Sequence, residues 1–538
     1  MESRQRVGLV VGIVVLSLLC MGWGVWQLGT RFAELMSQTQ VKADAAIKLA
    51  GSTPGKRARP FTDNEISAFL AVAKKAELIE DPLQRCLAFP DPPGSHWSHE
   101  TVAAYCRYTT QSAISVAELT SLIQNDHTDQ VDNRMADALR LQRTQPESRG
   151  LLDRTFIMDF RDSSPELRGI LDAWKRQSPN SAFAYAASGD AYVIAAHDAR
   201  GNAYERLTSD DQFVSMDRLL QLADGDFRKA LVLNPQLTPA YAGMIEAGTY
   251  GSQGYGIKAA HEGLAVDPSN FSLYVRLMQL SEPKWGGSIR QMQQVATQAQ
   301  THVPQDPLLL LLASDAPAYV ASRGDCDCGN ISYVPDYRSV FDKAAGFRPL
   351  ATAGEIAFRN DHSGSALGLV YAAEALRFAP NETDSRSTLT YELAAHGEAA
   401  WAKEEGDRLV AADSSTPDNY DARGKAYEAL PDYPHALDDY NKAFALDSTN
   451  PWPLVQIGLI DVHKTHEWDK AWANANQLIK LFPDHPEGWI LRLSIEKDQP
   501  RVGFHDDGIF FLAHFSQDPN QQAAVREVRQ WVAEGKYR

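Results

Sequence analysis

The sequence predicts an all-α protein in which pairs of helices repeat along the chain behind one N-terminal transmembrane helix. Three observations support this prediction. An uncharged apolar segment lies near the N-terminus, the rest of the chain has helical periodicity without clear runs of alternating strands, and several helices end at intervals of about 34 residues. A chain of 538 residues is too long for one compact core, and stacked repeats bury apolar surface without one.

The first element is the membrane helix, predicted at residues 7–28. These 22 residues carry no charge, and as a helix they reach about 33 Å, enough to cross the hydrocarbon of a bilayer. No small-x-small cleavage site follows, and Leu19 before Cys20 is too large for a lipoprotein cleavage site. The segment is therefore predicted to be an uncleaved signal anchor.

The charges around this anchor predict its orientation. Arg4 and Arg6 precede the span, and basic residues also follow it between positions 42 and 59. Long domains cross the membrane largely regardless of their charge, so the charges of the short N-terminal tail should determine the orientation of the anchor. We expect a single-pass protein of a bacterial inner membrane, anchored through residues 7–28, with the bulk of the chain in the periplasm.

Composition limits the class of partner. The chain is 44% hydrophobic and 22% charged, which is typical of a folded protein. Its net charge of −17 disfavours nucleic acid, because a phosphate backbone requires a basic surface. We therefore expect no nucleic-acid partner, and the acidity also promotes solubility.

Four cysteines follow the anchor and are candidates for disulfides. An even, small number suits two disulfides in an oxidising compartment, although four free thiols remain an alternative. Cys86 and Cys106 flank a proline-rich loop, and a bridge between them would stabilise the fold by roughly 3 kcal/mol. Cys326 and Cys328 form a Cys-x-Cys pair for which a structural disulfide is favoured over a metal site or a redox pair, since no second pair stands nearby.

The clearest repeat lies in residues 420–450. Small residues are expected where the two helices of a pair approach most closely, and aromatic residues where neighbouring pairs meet. One position departs from the pattern, because Arg423 stands where leucine is usual. The residues that follow the pattern are Tyr420, Gly424, Tyr427, Ala436, Tyr440 and Ala443.

The same phasing continues on both sides of this unit. The next unit supplies Gly458, Ala471 and Pro483 at the corresponding positions. Helices are predicted to end before Pro380, Ser414, Ser448 and Pro483, which are 34, 34 and 35 residues apart. A less regular spacing precedes these units, with helices predicted to end near Pro235, Pro268 and Pro304. The order and spacing resemble tetratricopeptide repeats, which predicts a tetratricopeptide-like helical-repeat solenoid.

These patterns divide the chain into eight parts. They are a cytoplasmic tail (1–6), the anchor (7–28), a linker (29–60), an N-terminal helical domain (61–150), degenerate repeats (151–320), an inserted surface loop carrying the Cys-x-Cys pair (321–345), regular repeats (346–500) and C-terminal capping helices (501–538).

Two segments, "AYAASGDAYVIAAHDARGNAY" and "LMQLSEPKWGGSIRQM", resemble an uncharacterised bacterial family. This family is a domain of unknown function built of tetratricopeptide-like repeats with an N-terminal membrane anchor. The resemblance covers roughly a third to a half of the chain and implies a helical-repeat fold, but no activity, substrate or catalytic residue. It suggests a constrained turn at Trp285, Gly286 and Gly287, where two glycines permit a tight bend.

One short motif, "HWSHE", raises the question of metal chemistry. His96 and His99 stand in the order His-x-x-His-Glu, whereas a zinc helix has His-Glu-x-x-His. The alternative is that Ser98 or His99 caps the next helix, with Glu100 in its first turn. No phosphate-binding loop or nucleophile elbow is found, so we predict no catalytic residue, metal or cofactor.

Two functional hypotheses follow. The first is a membrane-anchored scaffold, not an enzyme, that binds a protein or peptide partner in the concave repeat face. The alternative is a metal-dependent envelope enzyme with a site around His96 and His99.

Overall fold

The structure is a computed structural model that describes residues 61–201, 203, 205–323, 336–360, 366–499, 503–518 and 521–534. Within these residues every regular element is a helix, which confirms the predicted all-α class. The predicted anchor at 7–28, its flanks at 1–6 and 29–60, and the Cys326–Cys328 pair lie outside the described residues. In the described part, none of the helices combines the length and apolarity needed to span a membrane.

Seven helices precede the repeats. They are α1 (Asp63–Ala76), α2 (Pro82–Ala88), α3 (His99–Thr110), α4 (Val116–Gln124), α5 (Thr128–Thr144), α6 (Leu151–Asp159) and α7 (Pro165–Gln177). The start of α1 follows from its sequence. Thr62 accepts a hydrogen bond from the backbone of Glu65, whose side chain accepts one from Thr62 in return, and the two residues form a capping box.

The first repeat block contains three helix pairs, α8 to α13. They are α8 (Ala182–Arg200), α9 (Asp210–Leu233), α10 (Thr238–Tyr250), α11 (Gln253–Val266), α12 (Phe271–Leu280) and α13 (Ile289–Gln300). A 3₁₀ segment at Pro307–Ser314 and two helices, α14 (Asp315–Arg323) and the one-turn α15 (Tyr337–Val340), follow it.

The second repeat block contains four pairs. They are α16 (Phe347–Asn360), α17 (Leu367–Phe378), α18 (Thr383–Ala395), α19 (Ala399–Ala412), α20 (Pro417–Ala429), α21 (Tyr433–Leu446), α22 (Trp452–Ile460) and α23 (Trp468–Leu481). The chain continues with α24 (Pro486–Asp498), α25 (Phe504–Phe515) and α26 (Gln522–Glu534). Consecutive helices pack against each other from α8 to α13 and from α16 to α26, which gives a helical repeat-like fold.

The packing of the second block explains its period. Its second helices end at Phe378, Ala412, Leu446 and Leu481, so the ends are 34, 34 and 35 residues apart. A Cβ atom on Gly424 would lie 2.9 Å from the ring of Tyr440, so α20 and α21 approach too closely for a side chain there. Ala436 and Ala471 are fully buried at the corresponding contacts of α21 and α23.

The N-terminal helices pack into the repeats and share a core with them. Tyr105 on α3 has its ring centroid 6.4 Å from that of Phe271 and 4.5 Å from that of Phe378. Phe271 begins α12 in the first block, and Phe378 ends α17 in the second. Helix α3 therefore lies between the two blocks, and the described residues from 61 onward form one compact unit.

The predicted inserted loop is partly buried. Within its described residues, 336–345, Tyr337 and Phe341 are each about 1% exposed. Their rings stack at a centroid distance of 5.6 Å and meet Tyr371 of α17 at their edges. The prediction of a surface loop is therefore wrong for this portion, because aromatic residues four positions apart on a helical turn can pack into the same core.

Candidate functional site

In helix-pair repeats the first helices line the concave face, where partners bind. In the first block this face is occupied by the chain itself. The carboxylate of Asp153 on α6 accepts hydrogen bonds from Thr238 at 2.7 Å and from Asn270 at 2.6 Å. Every residue of α10 from Thr238 to Thr249 is buried. Helix α6 thus lies along α10 and the start of α12.

An ion cluster holds the chain after α6 in the same place. Arg161 donates two hydrogen bonds to Glu246 of α10, at 2.5 and 2.7 Å, and Arg276 of α12 lies 3.1 Å from the same carboxylate. Burial acts to raise the pKa of Glu246, but the two guanidinium groups prevail and lower it to about 2. Asp190 lies beside this cluster, and burial together with repulsion from Glu246 raises its pKa to about 8.

In the second block the first helices keep large exposed side chains. Phe358 of α16 is 38% exposed, and its ring stacks on Tyr391 of α18 at a centroid distance of 5.3 Å. Trp452 of α22 is 48% exposed. It follows Asp418 of α20 by one repeat of 34 residues, so the two take equivalent places on successive first helices.

A buried carboxyl group lies on α20, between the first helices α18 and α22 in chain order. Asp421 of α20 is only 4% exposed, and its Oδ1 atom has no hydrogen-bond partner among the described residues. Burial, reinforced by repulsion from Asp418, raises the pKa of Asp421 to about 7. Both carboxyl groups lie close enough to Tyr391 to raise the pKa of its hydroxyl, to which burial contributes most. We call the surface formed by Phe358, Tyr391, Asp418, Asp421 and Trp452 the acidic groove.

A buried carboxyl group without a hydrogen bond is costly to the free protein. Leaving such a group unsatisfied costs about 1–3 kcal/mol, and more if the group is charged. A buried carboxyl group with a shifted pKa is a candidate for a functional site. A ligand that donates a hydrogen bond or a positive charge to Asp421 would recover this cost.

The residues predicted from the repeat pattern serve packing. A Cβ atom on Gly458 would lie 2.6 Å from Leu491, which shows the close approach of α22 and α24. Tyr427 is half-buried and stacks on His435 at 5.2 Å. Pro483 is exposed beyond the end of α23, and its carbonyl accepts a hydrogen bond from Trp489 at 3.3 Å.

The turn after α12 has a constrained backbone. Gly286 has a φ of +84°, in the region that favours glycine. A Cβ atom on Gly287 would lie 2.2 Å from the carbonyl oxygen of Ser281. The ring of Trp285 meets that of Tyr250 edge-on at 5.5 Å, which places it between α10 and the turn.

The two histidines of "HWSHE" have separate surroundings. His96 is exposed, and its Nδ1 atom lies 2.6 Å from the carboxylate of Asp342. His99 is the first residue of α3, and Ser98 caps that helix by accepting a hydrogen bond from Thr101, as the alternative interpretation predicted. Across the described residues there is no group of three or more His, Cys, Asp or Glu side chains placed to hold a metal ion.

One of the predicted cysteine pairs is joined. Cys86 and Cys106 form a disulfide between α2 and α3. Arg377 of α17 donates a hydrogen bond to the carbonyl of Cys86 at 2.9 Å and another to Asp91 at 2.8 Å. The disulfide therefore strengthens a segment that is also tied to the second block.

Comparisons with known proteins add no family. No family model matches the sequence, and no curated protein matches it.

Proposed function

We propose that the protein is a membrane-anchored scaffold that binds an extended peptide segment of a protein partner in the acidic groove. The observation that carries this proposal is Asp421, a buried carboxyl group without a hydrogen-bond partner for its Oδ1 atom among the described residues. The role is one of binding and not of catalysis. It uses the second block, since α6 occupies the corresponding face of the first.

The chemistry of the groove selects the kind of peptide. Asp418 and Asp421 favour a lysine or arginine side chain, whose charge would pair with the buried carboxylate. Phe358, Tyr391 and Trp452 offer ring faces, which attract cations and also bind apolar side chains. The partner segment is therefore basic, with aromatic or aliphatic residues next to its cation.

Selection from a random peptide library tests this proposal with ligands of known chemistry. Full-length protein in detergent should enrich peptides that carry lysine or arginine beside an apolar residue. An Asp421→Asn variant should bind the enriched peptides at least about tenfold more weakly, because a charge-assisted hydrogen bond contributes about 1.5–3 kcal/mol. Tyr391→Ala should weaken binding in the same direction.

A matched control separates the groove from net charge. Asp217 is an exposed aspartate on α9 in the first block, so Asp217→Asn removes the same charge elsewhere. This variant should bind the enriched peptides like the unmodified protein. Enrichment of acidic peptides, or equal losses in the Asp217 and Asp421 variants, would contradict the proposal.

The proposal also includes the cellular location. An anchor at residues 7–28 would hold the repeats on the periplasmic side of a bacterial inner membrane. The Cys86–Cys106 disulfide supports this location, because disulfides persist in oxidising compartments. Protease added to intact spheroplasts should degrade the chain beyond residue 60, whereas protection of the whole chain would contradict this orientation.

A further inference from the structure

A second potential site lies where the N-terminal helices meet the second block. It is a cavity of about 300 Å³. Its apolar wall comprises Phe89, Ala373, Leu376, Leu389 and Trp401. This volume is at the lower end of the range for small-molecule pockets, which combine apolar walls with a few polar groups.

The charged groups of this cavity are unequal in number. Arg85, Arg386 and Arg408 line it together with the carboxyl groups of Glu77 and Glu405. Three guanidinium groups therefore face two carboxyl groups. The imbalance favours a ligand with one negative charge.

Glu405 is already satisfied by the protein. It is 2% exposed, accepts a hydrogen bond from Arg386, and is contacted by Arg408 at 2.5 Å. The indole nitrogen of Trp401 donates a third hydrogen bond to it at 3.1 Å. Glu405 therefore serves to position the two arginines at the cavity wall.

Arg85 is the third arginine of the cavity, and unlike Arg386 and Arg408 it makes no hydrogen bond to Glu405. It lies on α2 and makes no side-chain hydrogen bond or ion pair within the described part of the chain. An acidic neighbour in the cavity is Glu77, which lies 3.6 Å from Arg408. Burial and repulsion from Glu405 raise the pKa of Glu77, although the charges of Arg85 and Arg408 act to lower it. A raised pKa makes Glu77 a poorer partner for a guanidinium group, so Arg85 is available to an anion from outside.

We infer that this cavity binds a carboxylate carried on an apolar group, with Arg85 and Arg408 contacting the carboxylate and the ring of Trp401 lying along the apolar part. Planar guanidinium groups match a carboxylate in geometry and can each donate two hydrogen bonds to it. The ligand is a small organic acid, or the C-terminal residue of a peptide that presents the same chemistry.

Isothermal titration calorimetry on the full-length protein tests this inference with three probes of one shape. They are 3-phenylpropanoate, its neutral amide and the corresponding ammonium compound. We expect the acid to bind, and the amide to bind at least about tenfold more weakly because it lacks the charge. Equal binding of acid and amide, or no binding of the acid at 10 mM, would overturn the inference.

The variants locate the site. Arg85→Gln should reduce the affinity for 3-phenylpropanoate at least about tenfold, with an unchanged melting temperature in the absence of ligand. Arg107 on α3 is also partly exposed and has no side-chain partner in the described residues, so Arg107→Gln is the matched control and should bind normally. Equal losses in both variants would show non-specific binding and overturn the inference.

A further arm distinguishes the two sources of the carboxylate. A tripeptide with C-terminal phenylalanine that binds more tightly than 3-phenylpropanoate, and loses affinity when amidated, would assign the cavity to peptide C-termini. Tighter binding of the free acid would assign it to small organic acids. In the Arg85→Gln variant the difference in affinity between the tripeptide and 3-phenylpropanoate should disappear. A difference that persists in this variant would overturn the inference.

Discussion

Arg423 of α20 donates two hydrogen bonds to Asp439 of α21, from Nε at 2.8 Å and from Nη2 at 2.7 Å. Its remaining nitrogen, Nη1, lies 3.3 Å from Asp407 of α19. One side chain thus joins three consecutive helices of the second block. The position is the one at which the repeat pattern usually has leucine, so the departure from the pattern provides an ion pair between helices.

Replacing Arg423 with leucine should destabilise the protein even though it restores the usual repeat residue. The side chain of Asp439 is only 7% exposed. Without Arg423, the negative charge of Asp439 stays buried and has lost its ion-pair partner. Removing one partner of a buried ion pair lowers the free energy of unfolding by about 3–5 kcal/mol, and we expect a value near the lower end because Arg423 is partly exposed. Chemical denaturation measures this loss.

The double variant Arg423→Leu, Asp439→Leu is the control for this prediction. It removes both charges, and apolar pairs often replace buried ion pairs at little cost. Most of the lost stability should therefore return. A single variant as stable as the original protein would contradict the role assigned to the pair.

Gly424→Ala should also destabilise the second block. The added Cβ atom would lie 2.9 Å from the Tyr440 ring, and overpacking of this kind costs about 1–3 kcal/mol. Gly225 on α9 is the matched control, because a Cβ atom there meets nothing within 4 Å. Gly225→Ala should instead stabilise by about 0.5–1 kcal/mol through its helix propensity. Equal effects of the two changes in thermal unfolding would contradict the close helix contact.

The raised pKa of Asp190 should make the stability of the protein depend on pH. The folded protein holds the proton of Asp190 up to about pH 8, whereas the ordinary pKa is 3.8. The folded state therefore binds more protons between these values, and its free energy of unfolding falls as pH rises through that window. This carboxyl group contributes a slope of at most about 1.4 kcal/mol per pH unit.

Asp190→Asn removes this contribution while the neighbouring Arg161, Glu246 and Arg276 remain. The variant should gain stability relative to the original protein between pH 5 and pH 8, as measured by urea denaturation. A stability difference for Asp190→Asn that does not change with pH would show that Asp190 ionises normally.

The disulfide predicts a loss of stability on its removal. Cys86→Ala combined with Cys106→Ala should lower the free energy of unfolding by roughly 3 kcal/mol, since the bridge spans 20 residues. Under strong reducing conditions the two proteins should become similar in stability. An unchanged midpoint in the double variant, measured without reductant, would show that the bridge is absent or unimportant.

The sequence predicts features that depend on residues close together in the chain. The period between helix ends was predicted correctly, because helix pairs are local. The contacts of Tyr105 with Phe271 and Phe378 were not, because these partners are more than 160 residues away and no periodicity connects them.

The residues of the acidic groove were not predicted from the sequence. The concave face was expected to bind a partner, but nothing in the sequence indicates that α6 covers this face in the first block. The burial of Asp421 was not predicted, since aspartate is mostly exposed in proteins. The available indication was its position one turn before Gly424, on the helix that the repeat pattern assigns to the concave face.

Hydrogen–deuterium exchange of the full-length protein, with and without a peptide enriched in the library selection, locates the binding surface. We expect slower exchange in α18, α20 and α22 when the peptide is bound, with no change in α10 and α12, which α6 already covers. Protection confined to the first block, or no protection in the second, would contradict the claim that the acidic groove is the binding surface.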